Sequence, residues 1–183
     1  ADGQEGSTEQ AMGIWPFRRS REGMDAERLL AAVQTASRRP VLFGPGGAPD
    51  TLNGRFEVMA LYASLALLRL RAAPEAEPLA QAFTDMLFRN FDAGLREDGV
   101  GDTSVPRRMR KLAGDFYGRL GAYGPAITEG DAGALAAALV RNVPVSDDFA
   151  GRLAPHILRT AARQAEAPFV ALFEPGAWPA FAE

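Results

Sequence analysis

Histidine occurs once in this chain, at position 156, and cysteine not at all. A Ser-His-Asp relay needs its histidine in a specific setting, and a multi-histidine metal site or bis-histidine haem ligation needs more than one. Without thiols there is no Cys nucleophile, no thiolate metal site and no disulfide framework. His156 therefore reads as a surface or hydrogen-bonded helical histidine. Gly44-x-Gly46 resembles a phosphate loop only superficially: the closing Gly-Lys-Ser/Thr is missing and no strand–helix–strand unit surrounds it. Asp98, Asp102 and Asp115 could approach one another for two-carboxylate chemistry, although Asp98 and Asp102 more simply serve a turn and a helix start. The residues point away from an enzyme, and they imply no cofactor and no metal.

Binding chemistry is better represented. Arg107, Arg108, Arg110 and Lys111 crowd the first turns of a predicted helix. Exposed cations at that end cost roughly 0.3–1 kcal/mol each. A local choice that opposes stability invites a functional reason, here phosphate groups, anionic lipid heads or an acidic protein face. The plainer alternative is a solvated face balanced by Glu97, Asp98 and Asp102. Near the start, Trp15, Phe17, Arg18 and Arg19 mix aromatic and basic character. They either rest at a membrane surface or cover an apolar groove. The tail from Phe173 to Phe181, with Trp178, has the same two readings, core-covering preferred.

Pro49, Asp50, Thr51 and Arg55 follow a Gly/Pro loop. Asp50 or Thr51 caps a helix, Pro49 stiffens its approach, and the loop with Arg55 can also form the rim of a partner-binding surface. Phe116 is core by spacing, while Tyr117, one step round, is placed to anchor a partner.

The elements that must position these residues are helical, since apolar residues recur at helical spacing and convincing period-two strands are missing. Helices are expected over about 25–37, 51–72, 75–97, 104–123 and 131–142. A sixth begins after Ser146 and is kinked or restarted by Pro155, and a short amphipathic piece spans 169–173. The second is apolar all round and should be buried all round. Asp85–Arg89 and Asp92–Arg96 are expected as i,i+4 pairs on the third. The fold class is therefore all-α: a single-domain bundle of about six or seven helices over residues 24–183, behind a flexible leader of residues 1–23. Residues 1–11 look like a non-native extension before a natural start at Met12.

The chain has 183 residues, 47% of them hydrophobic, enough for one domain with a real core. Its 20 basic and 23 acidic residues leave a net charge of −3, so no global field recruits nucleic acid, and DNA is not an expected partner. Lys111 is the sole lysine among many arginines, which suggests a GC-rich bacterial coding bias. The longest apolar run, Val58 to Leu68, falls short of the about 20 residues a membrane helix needs. A soluble protein of the cytoplasm is expected, with the cytoplasmic face of the inner membrane as a peripheral location.

Three blocks follow one another in order: Gly44 to Phe56; Gly99-Val100-Gly101-Asp102 with Met109 to Tyr123 around Phe116-Tyr117; and Leu135 to Asn142. In this order and spacing they resemble the ubiquinol–cytochrome c chaperone family, over roughly Asp25 to Asn142. The resemblance implies a non-enzymatic assembly factor that holds newly made cytochrome b until it enters the bc1 complex. Mitochondrial relatives act with small partner subunits and near the ribosome, so a helper subunit, the ribosome and an anionic membrane surface are implied partners. It transfers motif positions but no specific client-contacting residue. Two other readings stand beside it: a membrane-surface module binding lipid or quinone, and a ribosome-binding adaptor using the basic cluster on RNA phosphates.

Overall fold

The computed structural model describes residues 20–97, 99 and 104–182. Among these, six α-helices follow in order: α1 (Arg21–Ser37), α2 (Leu52–Arg71), α3 (Glu77–Glu97), α4 (Val105–Glu129), α5 (Ala132–Asn142) and α6 (Asp147–Ala165). Short 3-10 turns at Pro40–Leu42 and Pro74–Ala76 precede α2 and α3, and two more, Phe169–Phe173 and Pro175–Ala177, build the tail. The chain is an all-α, single-domain bundle.

Helix starts follow their capping residues. Thr51, Asp131 and Ser146 each accept a hydrogen bond from the backbone N–H three residues on, satisfying one donor that the helix itself cannot. Ser20 does the same for Gly23, so α1 begins at Arg21, four residues before the expected start at Asp25. The expectation overlooked that serine because the apolar stripe begins only at Ala26.

α2 is the central helix. From Phe56 to Leu67 every residue is buried, and α1, α3, α4 and α6 all pack against it. Its two ends are held differently: Arg69 donates to the carbonyls of Gln164 and Ala167 at 2.8 and 2.6 Å, binding it to the end of α6.

Two helices run through an interior proline, α4 beyond its expected end and α6 without the restart that was one of two expectations for Pro155. α4 does not stop at Tyr123 but runs through Pro125 to Glu129, closed by Gly130 in the left-handed region (φ 71°). α6 continues as one helix through Pro155. An interior proline costs about 3 kcal/mol because it removes one N–H and crowds the carbonyl four residues back. Glycine occupies that position in both cases, Gly121 and Gly151, with open space around it. Burial beyond each proline, of Ala126 and Ile127 in α4 and of His156, Ile157 and Thr160 in α6, offsets the cost.

The tail covers the core. Trp178 is 1% exposed, its indole N–H donates to the Leu172 carbonyl at 2.8 Å, and its ring lies 6.1 Å from that of Tyr62. Arg39 reaches across from the α1–α2 connection and donates to the carbonyls of Trp178 and Pro179, both at 2.6 Å. On α3, Asp92 pairs with Arg96 at 3.0 Å, whereas Asp85 accepts from Gln81 rather than pairing with Arg89.

Candidate functional site

α2 and α4 run in the same sense through the bundle: Arg119 is level with Glu57, and Gly124 lies against Leu68. The N-termini of both helices therefore share one end of the molecule. Two groups of candidate residues, the loop entering α2 and the basic cluster opening α4, sit at that end.

The loop entering α2 is locked. Gly44 and Gly46 take φ of 86° and 79°, where other residues are strained. Gly44 N–H donates to Ala48 O and Ala48 N–H to Leu42 O, at 3.0 and 2.9 Å, closing a tight turn. Pro49 presses its carbonyl onto the first turn of α2: a Cβ at Gly54 would lie 1.9 Å from that oxygen. Thr51 is the cap, while Asp50 accepts from Arg55 Nε at 2.8 Å. Asp50 and Arg55 are both exposed, so this pair is a surface rim with little energetic weight.

Between α3 and α4 an aromatic series leads from core to surface. The Phe56 ring lies 5.0 Å from that of Phe91 and the Phe91 ring 6.3 Å from that of Phe116, tilted by 60° and 59°. Phe88 then bridges Phe116 and Tyr117 at 5.7 and 5.8 Å. Phe116 is fully buried and Tyr117 is 48% exposed, as their spacing indicates. Phe88, with Met109, Asp85, Arg89 and Asp92, lines an open groove of about 430 Å³. Phe88 is half-buried beside the Phe83–Leu87 stripe, and its role is defined by Tyr117, a residue on another helix.

The basic residues are exposed along the start of α4, whose first turn carries no acid. Lys111 pairs with Asp115 at 2.6 Å; Arg107, Arg108 and Arg110 form no ion pair with a described residue. No hydrogen bond or ion pair joins them to Pro49, Asp50, Thr51 or Arg55 among the described residues. Trp15, Phe17, Arg18 and Arg19 lie outside those residues, as do Asp98 and Asp102.

Three buried polar features were not anticipated. Arg119 makes a two-pronged pair with Glu57, both bonds 2.8 Å, and Glu57 is 3% exposed. A single acid inside an otherwise apolar helix was the sequence signal for it. Tyr62 and Tyr123 hold buried hydroxyls without partners, and burial pushes the Tyr62 phenol up to about 12. Burial, then the neighbouring Glu57 carboxylate, raises Tyr123.

His156 corrects an expectation. It is neither at the surface nor bonded through its Nε2: it is 6% exposed, that nitrogen is unpartnered, and its ring packs at 5.3 Å against Phe181. Burial, then the Arg159 and Arg39 charges, holds its pKa below the usual value. Among the described residues no group of three His, Asp or Glu side chains could hold a metal ion, and no helix is long and apolar enough to cross a membrane.

Fold and site together define an all-α bundle that presents an aromatic groove beside a basic helix end. The family model described as ubiquinol-cytochrome C chaperone matches residues 46–171, from the locked loop to the first tail turn, and the chain belongs to that family. A solved structure, the crystal structure of the Cbp3 homolog from Brucella abortus, is similar at 36% identity with a TM-score of 0.74, covering 88% of this chain and 91% of that one. A search of curated proteins gives no match.

Proposed function

We propose that this chain is a non-enzymatic assembly chaperone that holds newly made cytochrome b for assembly into the ubiquinol–cytochrome c reductase (bc1) complex. The observation that carries the reading is the family match over α2 to α6, and the likeness to the Cbp3 homolog from Brucella abortus supports it. The groove walled by Phe88 and Met109, with Tyr117 at its edge, offers an apolar client segment a partly desolvated seat. Arg107, Arg108 and Arg110 sit where acidic stretches of the client, or phosphates of a membrane surface beside it, would be steered. Pro49, Asp50, Thr51 and Arg55 form the stiff rim at the same end. The protein would act at the cytoplasmic face of the inner membrane, where its client is inserted.

The test is deletion of the gene in the native host, followed by the reduced-minus-oxidised haem spectrum of its membranes. Specific loss of the cytochrome b signal, restored by the wild-type gene, is expected. A normal spectrum with normal bc1 activity would overturn the assignment.

A further inference from the structure

α6 and the tail line a second, half-open cavity of about 400 Å³. Arg152, His156, Arg159 and Arg163 follow at helical spacing on one face of α6 and form one wall; Pro179 and Phe181 of the tail form the other. Three arginines line it. Arg152 pairs with the exposed Asp148 at 3.1 Å, and Arg159 and Arg163 have no ion-pair partner among the described residues. The charged groups acting on the His156 ring are Arg159 from its own helix and Arg39 from the α1–α2 connection, both positive. His156 lines the same cavity, but its unpartnered Nε2 is buried behind the surface rather than open to it. A buried polar atom without a partner beside a concentration of like charge is costly to maintain for stability alone.

We propose that this cavity is a binding site for a phosphate-bearing ligand, with Arg159 and Arg163 as the charge-assisted donors and the His156 ring beside them as its reporter. Guanidinium groups match phosphate oxygens with paired hydrogen bonds. The apolar face of Phe181 and Pro179 leaves room for the organic group that carries the phosphate. Arg39, holding the Trp178 and Pro179 carbonyls, ties the tail wall to the α1–α2 connection, and Gln164 Nε2, donating to the Ala177 carbonyl at 3.0 Å, ties it to α6. A bound dianion would offset the repulsion from Arg159 and Arg39, so ligand binding and His156 protonation should be cooperative. The same phosphate chemistry is supplied by a free metabolite or by a phospholipid headgroup.

The histidine is the chain's only one, so its ring resonances report the site directly. The purified full chain is titrated with inorganic phosphate and with glycerol 1-phosphate, against chloride at matched ionic strength, while the His156 ring is followed by NMR across pH. Saturable shifts, and a His156 titration moved to higher pH by the ligand, are expected. The exposed substitutions Arg159→Gln and Arg163→Gln should each weaken binding about tenfold, the loss typical of one charged hydrogen bond, without changing Tm. The absence of a saturable shift beyond the chloride control, or an equal shift in the doubly substituted chain, would overturn the proposal. Flotation with phosphatidylglycerol vesicles but not phosphatidylcholine vesicles, abolished by both substitutions together, identifies the headgroup as the source. Saturable glycerol 1-phosphate binding without flotation identifies a free ligand.

Discussion

Arg119 lies edge-on to the Glu57 carboxylate, Nε on Oε2 and Nη2 on Oε1, both at 2.8 Å. The pair fastens the aromatic end of α4 to the central helix α2, with Glu57 next to Phe56 and Arg119 one turn from Phe116. It thereby sets the height at which Tyr117, two residues before Arg119, meets the groove. A two-pronged geometry fixes rotation as well as distance, which a single hydrogen bond does not.

Removing one partner should therefore be severe. Arg119→Met strands a carboxylate whose side chain is 4% exposed, and a broken buried pair costs about 3–5 kcal/mol. For a domain of this size each kcal/mol lowers Tm by about 2–4 °C. Adding Glu57→Leu should recover most of the loss, since an apolar pair of similar volume needs no desolvation. Urea denaturation of both single substitutions and the double measures the coupling. Additive losses would show that the two groups do not act as a unit.

Two glycines to alanine should change stability in opposite directions. Gly54→Ala drives a methyl group to 1.9 Å from the Pro49 carbonyl, so the loop must lift off α2. A loss of about 1–3 kcal/mol follows, as for other overpacked sites. Gly118 is exposed on α4 with nothing near its Cβ position, and alanine there should stabilise by about 0.5–1 kcal/mol through helix propensity. Denaturation midpoints of the two variants decide it; a Gly54→Ala protein as stable as wild type would show that the loop is not clamped.

His156 should make the fold sensitive to mild acid. Burial, with Arg159 and Arg39, lowers its native pKa, so below the unfolded value of about 6.5 the unfolded chain takes up a proton before the native chain does. Stability is thus fully present above that value and falls as pH drops toward the native pKa. With one histidine and no cysteine, few other groups titrate between about pH 5 and 7. Urea midpoints across that window, in buffers free of phosphate, should decline for wild type and flatten for His156→Gln. Parallel profiles would exclude His156 as the source.

The fold was legible because caps and apolar periodicity are local signals. Thr51, Asp131 and Ser146 announce their helices by residue type, and the apolar circumference of α2 announces a central helix. The run of α4 past Tyr123 through Pro125, and of α6 through Pro155 without a restart, was not legible, because a proline's cost is judged locally while the burial that offsets it is tertiary. The site was legible in part. Tyr117 and the basic cluster were visible as types out of place, one aromatic beside a core position and cations at the wrong helix end. Glu57 stood out as a lone acid in α2, but its partner did not, and neither did Phe88 or the cavity around His156, because each is defined by a residue far off in sequence: Glu57 by Arg119, Phe88 by Tyr117, His156 by Phe181.

Client capture should depend on Tyr117 far more than on other exposed apolar side chains. Tyr117 is 48% exposed and stands on the Phe88 ring, so truncation to alanine removes contact area without opening the core. Aromatic anchors at interface centres typically contribute about 2 kcal/mol or more, so retention of newly made cytochrome b should fall at least about tenfold. Tm should move little, as for other surface substitutions. Val140 on α5 is 38% exposed and serves as the control: Val140→Ala should leave capture unchanged. Reversing Arg107, Arg108 and Arg110 to glutamate should act differently, slowing association and inverting its dependence on salt, because rim charges steer encounter more than they hold the complex. Pull-down of cytochrome b synthesised in a coupled membrane system, over a range of ionic strength, separates the two effects. Equal retention by the Tyr117→Ala and Val140→Ala proteins would move the client away from the α3–α4 groove, whatever the arginines do.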